Sequence, residues 1–289
     1  MATEHRQHWE DSISRLLQKA LSHKEVYTTP ISGFQVSIHP NVYSPKYFPE
    51  SKWYGQQLEQ LVKPGQDFLE VGVGSGIVSM HVARAGGKAR GVDINPDAVA
   101  ITKKNFAANG LSSSGVVRGE PRRDSYYTSA SGSPSEADRV RATINARNVA
   151  PTPPALTDSG SDSDSDPLEE ADIRVSDLYT SLDPGTKFHY IFWNHPWQNS
   201  SAIVKELQTE KTLDEGYKAL SRYMSQGRSY LHEDGAILIG TSCYADLKAL
   251  DQMAEDNGYR TMVQSQGTSL LEDGTEEVYY ILRLVDLQK

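Results

Sequence analysis

The spacing of apolar side chains predicts helices and strands in alternation along most of the chain. Residues 8–22 carry apolar side chains at helical spacing, whereas residues 34–38 alternate apolar and polar as a half-buried strand does. The predicted elements that follow are helix 53–62, strand 67–71, helix 77–85, strand 89–92, helix 96–108, strands 173–175 and 188–193, helix 212–231, strand 235–241, helix 244–257, and strands 260–265 and 277–284. Such alternation is typical of a mainly parallel sheet with helices on both faces. We therefore predict a doubly wound α/β fold whose seven-stranded sheet ends in an antiparallel C-terminal hairpin.

Residues 112–171 interrupt this pattern. They are rich in Ser, Pro, Arg and Asp, hold few large aliphatic side chains, and end in the run SGSDSDSDPLEE. A segment of this composition cannot bury enough apolar surface to offset the entropy that it loses on ordering. We predict a disordered insert, which is either a tolerated expansion of a surface loop or a phosphorylation or docking segment.

Charge and cysteine content narrow the classes of function. The chain has 289 residues and a formal net charge of -9, with 38 acidic and 29 basic side chains. This balance disfavours a broad phosphate-binding surface, and with it a nucleic-acid partner. Cys243 is the only cysteine, which excludes an internal disulfide and a cysteine-based zinc site. The histidines lack metal-ligand spacing, so we predict no metal.

The chain carries no sequence signal for a membrane. No apolar run is long enough to span a bilayer, and the N-terminus lacks the apolar stretch of a secretory signal. We therefore expect a cytoplasmic protein with no membrane partner.

A glycine-rich turn lies between a predicted strand and the helix that follows it. Its sequence is EVGVGSG, residues 70–76, and its glycines remove side chains where a ligand approaches the backbone. The helix N-terminus then presents free N–H groups. Asp93 ends the next strand, where a carboxylate can accept hydrogen bonds from both hydroxyls of a ribose. These features predict a nucleotide-type site, although the GxGxG spacing does not meet the dinucleotide fingerprint.

Glu70 narrows the choice of ligand at this turn. A dinucleotide site must receive a pyrophosphate here, and a carboxylate just before the first glycine would repel it. A carboxylate instead suits a ligand that carries an ammonium and a sulfonium, which describes S-adenosylmethionine. A structural turn without a ligand and a nicotinamide dinucleotide site are the alternatives.

Three motifs carry a family resemblance. The runs EVGVGSG at Glu70, DINPD at Asp93 and NHPW at Asn194 resemble those of the class I S-adenosylmethionine-dependent methyltransferases. Within that group the chain is most similar to the HemK-type branch, the protein-glutamine methyltransferases of release factors and their small-domain relatives. The resemblance covers about residues 34–285 apart from the insert, and it includes the VYSP segment ahead of the core. It implies a Rossmann-like methyltransferase fold.

The resemblance also implies how the chain divides and how it binds the cofactor. Residues 1–62 would form an N-terminal lid of helices and a hairpin on the substrate side, and residues 63–289 the methyltransferase core. The glycine turn would surround the methionyl group, Asp93 would take the ribose hydroxyls and Ile94 would pack on the adenine. Asp177 would face the adenine amino group, unless it caps the turn that follows. The implied cofactor-binding residues are Glu70, Gly72, Gly74, Gly76, Asp93, Ile94, Asp177 and Asn194.

The run Asn194-His195-Pro196-Trp197 provides the candidate catalytic residues. Ligands of parallel sheets bind beyond the carboxyl ends of the strands, so Asn194 is expected to point toward the sulfonium. The HemK-type pattern here is N-P-P-Y or N-P-P-F. Its Asn oxygen and the next carbonyl orient an NH2 group for in-line methyl transfer, and its aromatic ring packs on that group. In this chain His195 replaces the first proline, either as a base for a protonated amine or as a change in pocket shape.

Aromatic residues of the N-terminal part complete the candidate site. Tyr43 and Trp53, together with Trp197, are predicted to line the substrate pocket, with ordinary packing of the lid as the alternative.

These observations lead to three functional hypotheses. The first is an N-methyltransferase that acts on a protein side chain or on a small amine or amide. The second is a lyase that cyclises the methionyl chain of S-adenosylmethionine and releases methylthioadenosine. The third is a non-catalytic cofactor-binding subunit that activates a methyltransferase, and a small partner subunit is a related expectation. The intact glycine motif and Asn194 favour an enzyme over a degenerate subunit.

Overall fold

The computed structural model describes residues 2–114, 170–200, 212–271 and 273–287, with side chains from residue 6 onward. Most of the predicted insert, residues 115–169, lies outside the described residues. The helices are α1 (Ala2–Ser22), α2 (Glu50–Leu61), α3 (Ile77–Arg84), α4 (Pro96–Ala108), α5 (Lys218–Gly227) and α6 (Leu247–Asp256). The strands are β1 (Tyr27–Ile31), β2 (Phe34–Ile38), β3 (Asp67–Val71), β4 (Lys88–Asp93), β5 (Ile173–Val175), β6 (Phe188–Asn194), β7 (Leu231–Ser242), β8 (Tyr259–Leu270) and β9 (Glu276–Asp286).

Seven strands form one sheet in the order β5-β4-β3-β6-β7-β9-β8. The first five strands in this order, from β5 to β7, pair in parallel. The last two pairings are antiparallel. Strand β9 runs opposite to both β7 and β8, so β8 has the same direction as β7. The predicted fold class is therefore confirmed, including its antiparallel C-terminal hairpin.

The sheet is covered on both faces, as the strand sequences require. Along β6 the buried side chain of Phe192 packs with the cluster around helices α2, α3 and α4. Its neighbours Ile191 and Trp193 pack with the opposite cluster around α5 and α6. Successive side chains of a strand point to opposite faces, so a strand that is apolar at every position needs helices on both sides.

Two local predictions need correction. The predicted helix 212–231 is wrong over its first and last turns, because the regular helix covers only Lys218–Gly227 between two short 3-10 turns. Gly216 and Tyr217 have positive φ values of 64° and 51°, which a continuous helix cannot contain. Apolar periodicity does not register such a break. Strand β1 was not predicted, and it pairs with β2 in a separate two-stranded sheet.

The N-terminal helix α1 is held against the core by its apolar face. Trp9, Ile13, Leu16 and Leu17 are buried against Phe48 and the loop at the end of β8. The hydrophobic effect of this face anchors α1 near the carboxyl ends of the central strands. Among the described residues, no helix is long and apolar enough to cross a membrane.

The described residues on the two sides of the insert lie next to each other. Ser113 and Ala171 are buried, and the Asp172 N–H donates to Ser113 Oγ at 2.5 Å. The described residues on the two sides of the insert are therefore in direct contact.

Candidate active site

A cavity of about 890 Å³ opens at the carboxyl ends of β3, β4, β5 and β6. One part of its wall comes from the glycine turn and from the residues that follow β4 and β5. The other part comes from the NHPW loop after β6, the N-terminal helix and the loop before α5. Ligands of open parallel sheets bind at this edge, so the cavity is the candidate active site.

The glycine turn presents its backbone to the cavity. Gly72, Gly74 and Gly76 have φ values of 64°, 57° and 81°, a region that L side chains rarely adopt. A Cβ on Gly74 would meet nothing closer than 3.9 Å, so this glycine leaves open space for a ligand. A Cβ on Gly76 would lie 2.6 Å from Thr102, so Gly76 allows α3 to pack close to α4. Gly72 and Gly74 line the cavity, and Gly76 lies behind them.

Asp93 connects the glycine turn with the loop that follows β4. Its Oδ2 accepts a hydrogen bond from Gly74 N at 2.9 Å, and its Oδ1 accepts one from Asn95 N at 2.9 Å. Burial raises the pKa of the carboxyl above its usual value. The Ile94 backbone also bonds this carboxylate, and a carboxylate has about four lone-pair positions, so an acceptor position remains for a ribose hydroxyl.

Glu70 is buried at the end of β3 and borders the same wall. Its Oε2 accepts hydrogen bonds from the N–H of Ser79 at 2.9 Å and from the Ser79 hydroxyl at 2.5 Å, which fixes the turn against α3. Burial raises the pKa of Glu70 to about 8. A cationic group in the cavity would favour the ionised form of Glu70. A ligand that carries an ammonium or a sulfonium would therefore interact favourably with this carboxylate.

Two further predicted residues stand at the mouth of the cavity. Ile94 lines it and is 66% exposed, which is unusual for an isoleucine and leaves an apolar face for a planar ring. Asp177 also lines the cavity, and its carboxylate pairs with Arg222 at 2.8 Å. The turn after Asp177 is held by the neighbouring Ser176, whose Oγ accepts from Ser181 N. This leaves Asp177 at the surface of the wall rather than as a cap.

The NHPW loop carries its functional groups into the cavity. Asn194, at the end of β6, lines it, and Asn194 Oδ1 accepts a hydrogen bond from Trp197 Nε1 at 3.1 Å. A carbonyl oxygen has two lone pairs, so one acceptor position remains for another N–H. Pro196 lies in the same wall.

The hydroxyl of Tyr217 holds the NHPW loop in place through hydrogen bonds. It donates to the Trp197 carbonyl at 2.7 Å and accepts from the Asp246 N–H at 3.3 Å. Tyr217 adopts φ 51°, a strained conformation for a residue with a bulky side chain. Strain of this kind persists where the surrounding contacts hold it, and it is frequent at functional sites.

His195 is enclosed in the wall of the cavity. It is 2% exposed, and its ring packs edge-on against Tyr217 at 5.3 Å between ring centroids. Neither ring nitrogen has a hydrogen-bond partner among the described residues. Burial lowers the pKa of His195 to about 3, so the imidazole is neutral at physiological pH. This geometry favours the pocket-shaping interpretation over a base for a protonated amine.

The two aromatic residues predicted for the substrate pocket differ in position. Tyr43 lines the cavity and stacks on Phe48 at 4.3 Å. Trp53 is outside the lining and packs on Tyr54 and Tyr279. Trp53 therefore packs among aromatic side chains outside the cavity lining.

Sequence reasoning missed two groups of polar residues. Glu50 lines the cavity from the start of α2, and Glu277 on β9 lies next to it, although the pattern of the sequence gives no signal that either acid is buried. At the opposite end of the sheet, Asp67, His189 and His232 bring ligand atoms within 4.8 Å of one another. The last group joins three separate strands, so spacing along the chain could not have found it.

Comparison with known proteins gives matches to methyltransferases. The family model described as ribosomal protein L11 methyltransferase (PrmA) matches residues 55–151, about a third of the chain. A protein from Methanocaldococcus jannaschii, provisionally described as a protein N5-glutamine methyltransferase, is 39% identical over 83 residues, which are 28% of this chain and 40% of that protein. The ribosomal protein L11 methyltransferase of Dictyoglomus turgidum is 44% identical over 55 residues, 19% of this chain and 18% of that enzyme. The matches therefore span less than half of these relatives.

The fold is also similar to that of solved structures. The structure of Methanocaldococcus jannaschii Trm5 in complex with adenosine superimposes with a TM-score of 0.51 at 15% sequence identity, covering 93% of this chain and 57% of that one. At this identity the likeness concerns the fold alone. In its sheet order, its glycine turn with two acids and its matched segments, the chain is similar to class I S-adenosylmethionine-dependent methyltransferases.

Proposed function

We propose that this protein is an N-methyltransferase that transfers the methyl group of S-adenosylmethionine to a nitrogen of a protein side chain or of a small amine or amide. The observation that carries the proposal is the position of Asn194. Its amide lines the same cavity as the glycine turn and Asp93, at the carboxyl end of the neighbouring strand. The relatives described as methylating ribosomal protein L11 or a protein glutamine support a protein acceptor.

The residues present fit the cofactor in chemistry. Gly74 leaves space beside the backbone, Glu70 offers a buried carboxylate to a cation, and Asp93 offers acceptors to a ribose. The exposed face of Ile94 suits the adenine ring. When bound there, S-adenosylmethionine supplies an electrophilic methyl carbon on a positively charged sulfur.

The chain's own contribution is to orient the acceptor. Methyl transfer forms an N–C bond from the nitrogen lone pair and breaks the S–C bond, whose electron pair stays on sulfur; the nitrogen then loses one proton. Asn194 Oδ1 keeps one lone pair free to accept an N–H of the acceptor. Trp197 provides the aromatic surface beside it, and Tyr217 fixes the loop through the Trp197 carbonyl. Such positioning contributes to rate by holding the reacting atoms in line.

The proposal is tested by Asn194→Ala. With methyl-labelled S-adenosylmethionine and a cell extract as the source of acceptor, the variant should transfer label at a rate lower by on the order of 10²-fold or more. Its affinity for S-adenosylhomocysteine, measured by calorimetry, should fall by a much smaller factor than the rate does. Labelling at an unchanged rate would contradict the proposed role of the NHPW loop.

A further inference from the structure

Two buried carboxylates form an acidic pocket on the acceptor side of the cavity. Glu50, at the start of α2, and Glu277, on β9, are each 2% exposed. We call this pair the Glu50–Glu277 pocket. It adjoins the NHPW loop, because Glu277 bonds the hydroxyl of Tyr279, whose ring lies 6.2 Å from the ring of Trp197.

Glu50 is the member of the pair that borders the cavity. Its Oε1 is buried and has no hydrogen-bond partner among the described residues. The other contacts of its carboxyl group are with the hydroxyl of Tyr43 and with its own backbone. Burial, and then the nearby charge of Glu277, raise the pKa of Glu50 to about 8. A buried acceptor without a donor is costly, so its presence at a cavity wall indicates a donor that arrives with a ligand.

Glu277 is held in place by donors from the surrounding aromatic residues. Trp9 Nε1 donates to Oε1 at 3.0 Å, and the Tyr279 hydroxyl donates to Oε2 at 2.9 Å. Burial raises its pKa to about 7. These bonds orient Glu277, which adds negative potential behind Glu50.

The pair has no cation of its own. Among the residues that the structure describes, no lysine, arginine or histidine forms an ion pair with either carboxylate. A buried carboxylate is stabilised in its ionised form by a cation, and without a cation burial raises its pKa and favours the protonated form. The walls are aromatic, with Trp9 and Tyr43 among the lining residues, and aromatic faces attract cations as well.

We infer that the acceptor carries a cationic group, an alkylammonium or a guanidinium, and that Glu50 binds this group in the cavity with Glu277 behind it. A bound alkylammonium passes one proton to the Glu50 carboxylate, and the lone pair freed on its nitrogen then attacks the methyl carbon. The inference rests on the proposed methyltransferase function for its biological meaning, and it names the chemical class of the acceptor. His195 also belongs to the lining of this cavity and is buried, with no well-formed hydrogen bond to either ring nitrogen among the described residues and a backbone contact with Pro196.

A neutral acceptor would fit this pocket poorly. Beside an amide side chain the two acids keep the protons that burial favours, so no ion pair forms with the acceptor. A site built around a buried charge rejects the uncharged isostere strongly, by about 10²-fold or more in similar cases. The pocket therefore discriminates for lysine-like, arginine-like or polyamine-like groups and against glutamine.

The test measures binding of a simple cation without reference to catalysis. The melting temperature of the full chain with saturating S-adenosylhomocysteine is measured in n-butylammonium chloride, and in butyramide with sodium chloride at the same ionic strength. Butylammonium should raise the melting temperature by about 3 °C more than butyramide does at 100 mM. Glu50→Gln should lose this difference, and Glu276→Gln, a change of an exposed acid on the same strand as Glu277, should keep it.

The outcomes separate this inference from the proposed function. If butylammonium stabilises the wild type no more than butyramide does, or if it stabilises Glu50→Gln equally, the inference is overturned even where methyl transfer occurs. If the cation binds through Glu50 and no methyl transfer is found with any extract, the pocket is supported and the proposed function fails. Glu50→Gln is nearly isosteric, and unchanged S-adenosylhomocysteine affinity shows that it is folded.

A second arm identifies the source of the cation. N-acetyl-lysine amide, N-acetyl-arginine amide and putrescine are offered as acceptors beside N-acetyl-glutamine amide, with labelled S-adenosylmethionine. Label on any of the three cations, reduced at least tenfold by Glu50→Gln, supports the inference and shows whether a side chain or a free amine is preferred. Label on the glutamine amide alone overturns it.

Discussion

At the scale of single residues, the site depends on carboxyl groups that have been taken out of water. Glu50 and Glu70 both line one cavity, and burial raises the pKa of each to about 8. Groups of this kind cluster at functional sites because ligand binding changes their charge state. Because burial raises the pKa of these carboxyl groups, the stability of the ligand-free protein should depend on pH.

We predict that the free energy of unfolding of the ligand-free protein falls as pH rises from about 4.5 to about 8. The pKa of Glu50 is higher in the folded chain than the usual 4.5, so folding retains its proton. The stabilisation is complete below the unfolded pKa and is lost as pH rises through the folded pKa, by up to about 1.4 kcal/mol per pH unit for one group. Urea unfolding at several pH values should give a shallower slope for Glu50→Gln. Equal slopes for Glu50→Gln, Glu276→Gln and the wild type would contradict the assignment.

Asp93 gives the second prediction at this scale. Asp93→Ala removes the acceptors proposed for the ribose and the bond that holds Gly74. Charge-assisted hydrogen bonds contribute about 1.5–3 kcal/mol, so affinity for S-adenosylmethionine should fall by about 10- to 100-fold in calorimetry. Asp251→Ala, on the distant helix α6, is the matched control. Unchanged affinity of the Asp93 variant would remove the ribose assignment.

At the scale of elements, the sequence predicted the helices and strands in which apolar residues recur at regular intervals. Helix α4 and strand β3 have the predicted bounds because Asn95 caps the helix and glycines end the strand. The break before α5 was missed because it depends on the left-handed backbone of Tyr217, which tertiary contacts hold and no local pattern reveals. Glu70, Asp93 and Asn194, which the motifs named, line one cavity, and their roles stay predictions. Glu50 was missed because its burial depends on the distant strand β9.

The loop after β6 provides a test at this scale. Tyr217→Phe removes the hydroxyl that bonds the Trp197 carbonyl and the Asp246 N–H. We expect a lower rate of methyl transfer, by about tenfold for a loss on the order of 1 kcal/mol, with unchanged affinity for S-adenosylhomocysteine. The control is Tyr230→Phe, in the turn after α5. Loss of cofactor affinity and rate together would indicate a general structural defect instead.

At the scale of the whole molecule, the two described segments that flank the insert meet at Ser113 and Asp172. The N–H of Asp172 bonds Ser113, so the described residues on the two sides of the insert are joined directly. The sequence predicted the insert from its composition, and its function stays a prediction. A short linker in its place should preserve the sheet edge at β5.

Deletion of residues 115–168, replaced by a short Gly-Ser linker, should leave the melting temperature nearly unchanged. The physical reason is that the closing contacts of Ser113 and Ala171 are retained. Differential scanning calorimetry of the deleted and full chains measures the effect. A fall of about 5 °C or more, equivalent to more than about 1 kcal/mol, would mean that the insert stabilises the domain.

The fate of S-adenosylmethionine is the most direct test of the central claim that this chain is an N-methyltransferase. The purified protein is incubated with S-adenosylmethionine, with and without a cell extract, and the products are followed by mass spectrometry. We predict S-adenosylhomocysteine that depends on the extract, with the labelled methyl group on a nitrogen. Methylthioadenosine formed by the protein alone would contradict the claim, because the cofactor would then be the substrate of a cyclisation and only the fold would be that of a methyltransferase.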